Sequence, residues 1–211
     1  MKGILSLLKM KARSGKLSDD HTDSVLFSTA FAGQGVDDSM LVPWEARAVE
    51  VGAKRLPTSR GGKLLQGLWA KDKYMAHLDK DAVERMERFF EFAAVPSNRD
   101  VIRQDEYGNF MVVLLTGTIA VDRVQPWGEH LRLAETRPGD ILGEMSLLDS
   151  GIRFSACTTL TDCEIAVLSA EAMDDMMSKD PQLAASLIAL LARKLSLRLR
   201  VVSARLSEHR Q

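Results

Sequence analysis

The residues best placed to do chemistry are Gly139-Asp140-Ile141-Leu142-Gly143-Glu144-Met145-Ser146-Leu147-Leu148, followed by Arg153. They set a carboxylate and a guanidinium on either side of a short turn, with eight residues between them. A carboxylate can accept a hydrogen bond from a sugar hydroxyl, and an arginine offers a phosphate two parallel donors. Glycine lets the backbone approach a ligand closely, so N–H groups of Gly143, Met145 and Ser146 can face the same phosphate. A carboxylate at Glu144, if buried, costs several kcal/mol unless it is satisfied. The pattern reads as a pocket for a small molecule with a ribose and one phosphate. The plainer alternatives are an N-cap or surface carboxylate at Glu144 and a loop-ending surface arginine at Arg153.

Such a turn needs a scaffold, and the flanking sequence describes one. From about Val101 strand-like runs begin: Phe110 to Val124, broken at Gly117, the alternating Leu131-Arg132-Leu133-Ala134, and Ser155 to Leu168, split near Thr161-Asp162. Short strands with glycine-bearing turns argue for a compact antiparallel barrel or jelly roll. Upstream, Lys63 to Phe92 has helical character, with Leu64, Leu65, Leu68 and Trp69 at helical spacing. Asp79 or Asp81 can cap a second helix, Ala82 to Phe92, with Val83, Met86, Phe89 and Phe90 on one face. Downstream, Ala170 to Ser178 reads as a short helix, and Pro181 suits the first turn of a long one ending near Glu208. Leu187, Leu191, Leu195, Leu199, Val202 and Leu206 stripe that helix. The stripe can cover the barrel, pair with a second copy, or both.

The expected fold class is thus α+β: an antiparallel β-roll or jelly-roll barrel flanked by N-terminal helices and a long C-terminal helix. Residues 1–65 read as an irregular arm with short helices, and 66–211 as the domain, with the roll at about 95–169 and the final helices at 170–208. Ile4, Leu5, Leu7 and Leu8 among Lys2, Lys9, Lys11, Arg13 and Lys16 suggest a short basic amphipathic helix that docks on the body, a partner or an anionic membrane surface.

Composition narrows the function classes. The 211 residues carry a net charge of −1, which makes no case for nucleic acid. Cys157 and Cys163 read as small buried apolar residues rather than a disulfide or metal pair. No apolar run approaches the roughly 20 residues of a membrane helix, and no cleavage site follows the start, so a cytoplasmic setting is expected. His21, His77, His130 and His209 are scattered, which argues against a metal enzyme on a similar barrel. No catalytic residues, metal or cofactor are assigned.

Across Gly143-Glu144-Met145-Ser146-Leu147 and Arg153 the chain resembles the phosphate-binding cassette of the cyclic nucleotide-binding domain family. The resemblance covers about Tyr74 to Leu206, including Arg137-Pro138-Gly139-Asp140, Thr116-Gly117 and Cys163-Glu164-Ile165-Ala166-Val167-Leu168-Ser169. It is similar to the sensory domain of the bacterial catabolite activators, which bind cyclic nucleotide. The eight-residue gap matches kinase regulatory subunits and nucleotide-gated channels, and is one shorter than in the activators. The resemblance implies that Glu144 accepts from the ribose 2′-hydroxyl, that Arg153 pairs with the phosphate, and that the long helix forms a homodimer interface. The ligand it implies is cAMP or cGMP.

Three departures stand out. Phe154 follows the clamp arginine where the family has a small or hydroxyl residue, and Ser155 comes one place late. Arg198 and Leu199 stand where the activators have base-touching hydroxyl residues, so Arg198 can stack on a purine, bond its edge, or be a solvated helix residue. Asp105 stands where the family commonly has glycine. No DNA-binding helix-turn-helix is expected after the final helix. Two readings result: a stand-alone cyclic nucleotide receptor that signals to an unnamed partner protein through its terminal helix or arm, and a dimeric interaction module that keeps the fold and binds no nucleotide.

Overall fold

A computed structural model describes residues 26–76 and 78–208, apart from the side chains of Leu206 and Glu208. The amphipathic helix expected near the start, and the histidines at 21, 77 and 209, lie outside the described residues.

The described residues open with helix α1 (Ala30–Gly33), a 3-10 turn (Asp38–Met40), helix α2 (Trp44–Glu50), strand β1 (Lys54–Arg55), and helices α3 (Thr58–Trp69) and α4 (Lys80–Glu87). Strands β2 (Glu91–Val95), β3 (Asp100–Ile102), β4 (Phe110–Thr116), β5 (Ile119–Val124), β6 (His130–Glu135) and β7 (Ile141–Leu142) follow. Helix α5 (Glu144–Asp149), strands β8 (Ala156–Thr159) and β9 (Cys163–Ser169), and helices α6 (Ala170–Lys179) and α7 (Pro181–Glu208) complete it.

The strands form two sheets, a five-stranded one ordered β1-β2-β9-β4-β7 and a four-stranded one ordered β3-β8-β5-β6. Every ladder is antiparallel, as expected for a jelly roll. Strand β4 shows why its sequence is apolar throughout. Phe110, Val112 and Leu114 face the second sheet, while Met111, Val113 and Leu115 face the helices. A strand with a core on each face has no polar side to alternate with.

The helical layer packs Leu65, Trp69, Met86, Met173, Leu187 and Leu191 on that sheet. Asp79 caps α4 by accepting from the Ala82 N–H at 2.7 Å, and Ser169 caps α6 by accepting from Ala172 at 3.1 Å. The inner half of α7 buries one face, Leu183, Ala184, Leu187, Leu190 and Leu191, whereas Leu199, Val201 and Val202 are 66, 52 and 51 % exposed.

Several boundaries differ from those read in the sequence. The second helix stops at Glu87 rather than Phe92, because Glu91 to Val95 is a strand pairing with β9 (Phe92 opposite Ala166). Phenylalanines at 89, 90 and 92 fit either period, and the partner strand decides. The roll therefore starts at Glu91 rather than at about 95. Residue 65 lies inside α3, so the boundary drawn there cuts a helix. The stretch assigned to an arm also packs into the body: Phe27, Phe31 and Trp44 are buried, and β1 joins the sheet. Asp174 anchors it, accepting from the backbone N–H groups of Leu26, Phe27 and Ser28, each at 2.8 Å.

Candidate functional site

Strand β7 pairs with β4 and delivers the chain to Gly143. Gly143 has φ 75°, and a Cβ there would lie 2.6 Å from Arg153 Nη1, so left-handed backbone and close approach both call for glycine. Helix α5 starts at once, without a side-chain cap, leaving first-turn N–H groups beside the turn. Ser150, also left-handed at φ 55°, ends it and turns the chain toward Arg153.

Arg153 is 3 % exposed. Its Nη1 donates to the Gly143 carbonyl at 2.8 Å and its Nη2 to the Phe110 carbonyl at 2.6 Å. The guanidinium also sits 4.7 Å from the centre of the Phe110 ring. Its backbone is fixed by two further bonds, Arg153 N–H to Glu106 O at 2.8 Å and Asp105 N–H to Arg153 O at 2.9 Å. Burial holds its pKa down at about 10, with Arg47 also lowering it. Among the described residues no carboxylate pairs with it. A guanidinium has five N–H donors, and the two bonds to carbonyls leave the rest for an anion.

Glu144, 4 % exposed, is held differently. Arg198 reaches in from α7, its Nη1 on Glu144 Oε1 and its Nη2 on the Ile141 carbonyl at 2.8 Å. One helical turn earlier, Lys194 donates to the Gly139 carbonyl at 3.3 Å and pairs with Asp72 at 3.3 Å. The two cations thus lie along the 139–144 backbone. Burial pushes the Glu144 carboxyl up, and Arg198 is the largest influence opposing it.

The structure brings Gly143, Glu144, Arg153 and Arg198 together. Ser146 is buried in α5 and Met145 is 45 % exposed. Phe154 points outward, 51 % exposed, with the Arg123 guanidinium 4.0 Å over its ring. Phe154 and half-buried Ser155 occupy a bend before β8, not the strand expected there, because the turn from Ser150 does not reach ladder geometry until Ala156. Asp105 adopts φ 65°, which explains a glycine preference at that place and why aspartate, tolerant of this region, can serve.

Sequence reasoning missed the carbonyls of Phe110 and Ile141, because any residue type supplies a carbonyl. It also missed Gly108, where a Cβ would lie 2.7 Å from Arg153 Nη2. Two cavities, of about 440 and 550 Å³, lie elsewhere, one beside Trp44, Phe90 and Phe92 and one beside Arg60, Thr116 and Glu164. Among the described residues no three His, Cys, Asp or Glu side chains cluster as metal ligands, and no helix is long and apolar enough to cross a membrane. Both cysteines are free and buried, and burial pushes the Cys157 thiol up to about 12.

Residues 93–180 match the family model of the cyclic nucleotide-binding domain. The cyclic AMP receptor protein of Thermus thermophilus is 31 % identical over 107 residues, 51 % of this chain and 50 % of that protein. The CRP-like cAMP-activated global transcriptional regulator of Mycobacterium tuberculosis is 28 % identical, over 47 % of this chain and 45 % of its own. The matched stretch thus spans about half the length of those relatives. A cyclic nucleotide-binding domain from Methylobacillus flagellatus superposes with a TM-score of 0.67 at 22 % identity, covering 72 % of this chain and 86 % of that one, a likeness of fold. Residues 93–180 thus match a cyclic nucleotide-binding domain, the curated relatives are of the catabolite-activator type, and the fold is that of such a domain.

Proposed function

We propose that the protein is a cyclic nucleotide receptor, with Arg153 and the turn at Gly143 to Ser146 taking the phosphate and Glu144 taking the ribose hydroxyl. The observation that carries this reading is Arg153. A buried guanidinium without a carboxylate partner is costly, and an anionic ligand would supply the missing charge. The names of the two relatives favour cAMP, with cGMP as the competitor. A ribose hydroxyl donating to Glu144 would compete with Arg198, so ligand and α7 are coupled through one carboxylate. Ligand would then shift the population of α7 positions by its differential affinity for them, and a partner protein reading α7 or the N-terminal segment would receive the signal.

The exposed outer half of α7, with Leu199, Val201 and Val202, supports a homodimer formed through this helix. The substitutions Leu199→Glu and Val202→Glu touch no core residue and should give a folded monomer in sedimentation, where the parent sediments as a dimer.

A second reading, the dimeric interaction module that binds no nucleotide, draws on the same contacts. Arg198 already satisfies Glu144, and two carbonyls already hold Arg153. Isothermal titration with cAMP and with cGMP, alongside Glu144→Ala and Arg153→Ala, separates the two. Heat with either nucleotide, lost in both variants, supports the receptor. A folded, ligand-stripped protein giving no heat with either leaves the interaction module.

A further inference from the structure

The contacts behind Arg153 come from a part of the chain that the family model does not reach. Helix α2 precedes the matched residues 93–180 by more than forty positions, yet it packs against what holds the clamp. Trp44, 4 % exposed, meets the Phe110 ring edge-on, with centroids 5.6 Å apart and planes at 63°. Phe110 also meets Arg153, whose guanidinium lies over its ring and donates to its carbonyl. Arg47, 1 % exposed, pairs with Glu50 at 2.6 Å and with Glu106, while Arg103 pairs with Glu50 through its other carboxylate oxygen and lies 3.8 Å from Glu106. Glu106 is the residue whose carbonyl accepts from the Arg153 N–H. Just before α2, the Val42 N–H donates to Tyr107 O at 2.9 Å, tying the same turn again.

We infer that Trp44 and Arg47 are positioning residues for the anion clamp: α2 fixes the Glu106 turn and the Phe110 ring, and these set where the Arg153 guanidinium points. A fork that must satisfy two carbonyls and still face a ligand tolerates little rotation. A buried arginine on two carboxylates is an expensive way to pack a helix, since an apolar residue of similar volume is often as stable. What the ion pairs add is a fixed place for the 105–106 turn. This inference rests on the receptor reading for its ligand, but not for its geometry.

The test uses Arg47→Met, Trp44→Ala and the milder Arg47→Lys and Trp44→Phe in the full chain. The first readout needs no ligand: solvent exchange of the Arg153 Nε–H, observed by nitrogen-15 NMR and assigned by its disappearance in Arg153→Lys. The expected result is faster exchange and a shifted resonance in the α2 variants, graded from the mild pair to the severe pair. The second readout is affinity for cAMP against affinity for adenosine, which lacks the phosphate. The expected loss is about tenfold for cAMP, the worth of one misaligned charge-assisted bond, with adenosine little changed. If Arg47→Met and Trp44→Ala fail to fold, the milder pair still gives both readouts. An unchanged Arg153 resonance in the folded variants, or equal losses for cAMP and adenosine, overturns the inference. A parent protein that binds no nucleotide overturns the receptor reading, while the ligand-free exchange still decides the role of α2.

Discussion

Arg153 and Glu144 are both buried charges of one turn, and they are held in opposite ways. Arg153 is fixed by main chain: two carbonyls on its guanidinium and two backbone bonds to the 105–106 turn. Glu144 is fixed by a side chain, Arg198, which is 48 % exposed and projects from α7 near where that helix leaves the body. Main-chain partners cannot leave without unravelling β4 or β7. A half-exposed side chain on a terminal helix can leave by a rotamer change, provided another group then satisfies the buried Glu144 carboxylate. The Arg153 side of the site is thus a rigid frame, and the Glu144 side is held by a contact that can be exchanged.

The largest effect should come from breaking the rigid side. Arg153→Lys keeps the charge but cannot fork between Gly143 O, Phe110 O and an anion. Its cyclic nucleotide affinity by titration should fall about a hundredfold, roughly 2.7 kcal/mol, with a lower melting temperature because both carbonyls lose a donor. Affinity within about threefold of the parent, roughly 0.65 kcal/mol, would mean that the fork is not the anion site.

The exchangeable side predicts a smaller, pH-dependent effect. Burial already raises the Glu144 carboxyl in the folded protein, and Arg198→Ala removes the strongest opposing charge. A carboxyl with a raised folded pKa binds its proton more tightly when folded, so its contribution is full below the unfolded carboxylate range and is lost as pH rises through the folded value. Arg198→Ala should therefore melt below the parent near neutral pH and converge with it as pH falls toward the unfolded value. Parallel melting curves across that range would show that Arg198 does not set the ionisation of Glu144.

Phe154 should matter least. Its ring stacks outward on Arg123, and an exposed cation–π contact is worth about 0.5–1 kcal/mol. Phe154→Ala should lower thermal stability slightly and leave affinity within about threefold, the same energy expressed as binding. A tenfold change in affinity, roughly 1.4 kcal/mol, would move Phe154 into the pocket and blur the contrast between the two sides.

Much of this site is legible in the sequence because its logic is local. Gly143, Glu144 and Arg153 share one turn, so residue type and spacing carry the chemistry. The caps Asp79 and Ser169 and the proline opening α7 are equally local. The misread helix end at Glu87 failed where local preference was divided and a distant strand, β9, settled it. Arg198 was a candidate by position, but whether it would read a base or hold a carboxylate depended on how α7 lies across the turn. Trp44 and Arg47 carried no local mark of a role at the site.

By itself the sequence determined a β-roll between helices, a turn that sets a carboxylate and a guanidinium close together, and a long striped final helix. Tertiary structure alone decided that Arg198 meets Glu144 across 54 positions and that Phe110 receives Arg153 across 43. It also decided that Arg47 reaches Glu106 across 59. Periodicity and capping follow from neighbours along the chain. Which buried charge faces which partner follows from how layers pack, because a buried charge settles on whatever donor or acceptor the closed fold leaves beside it.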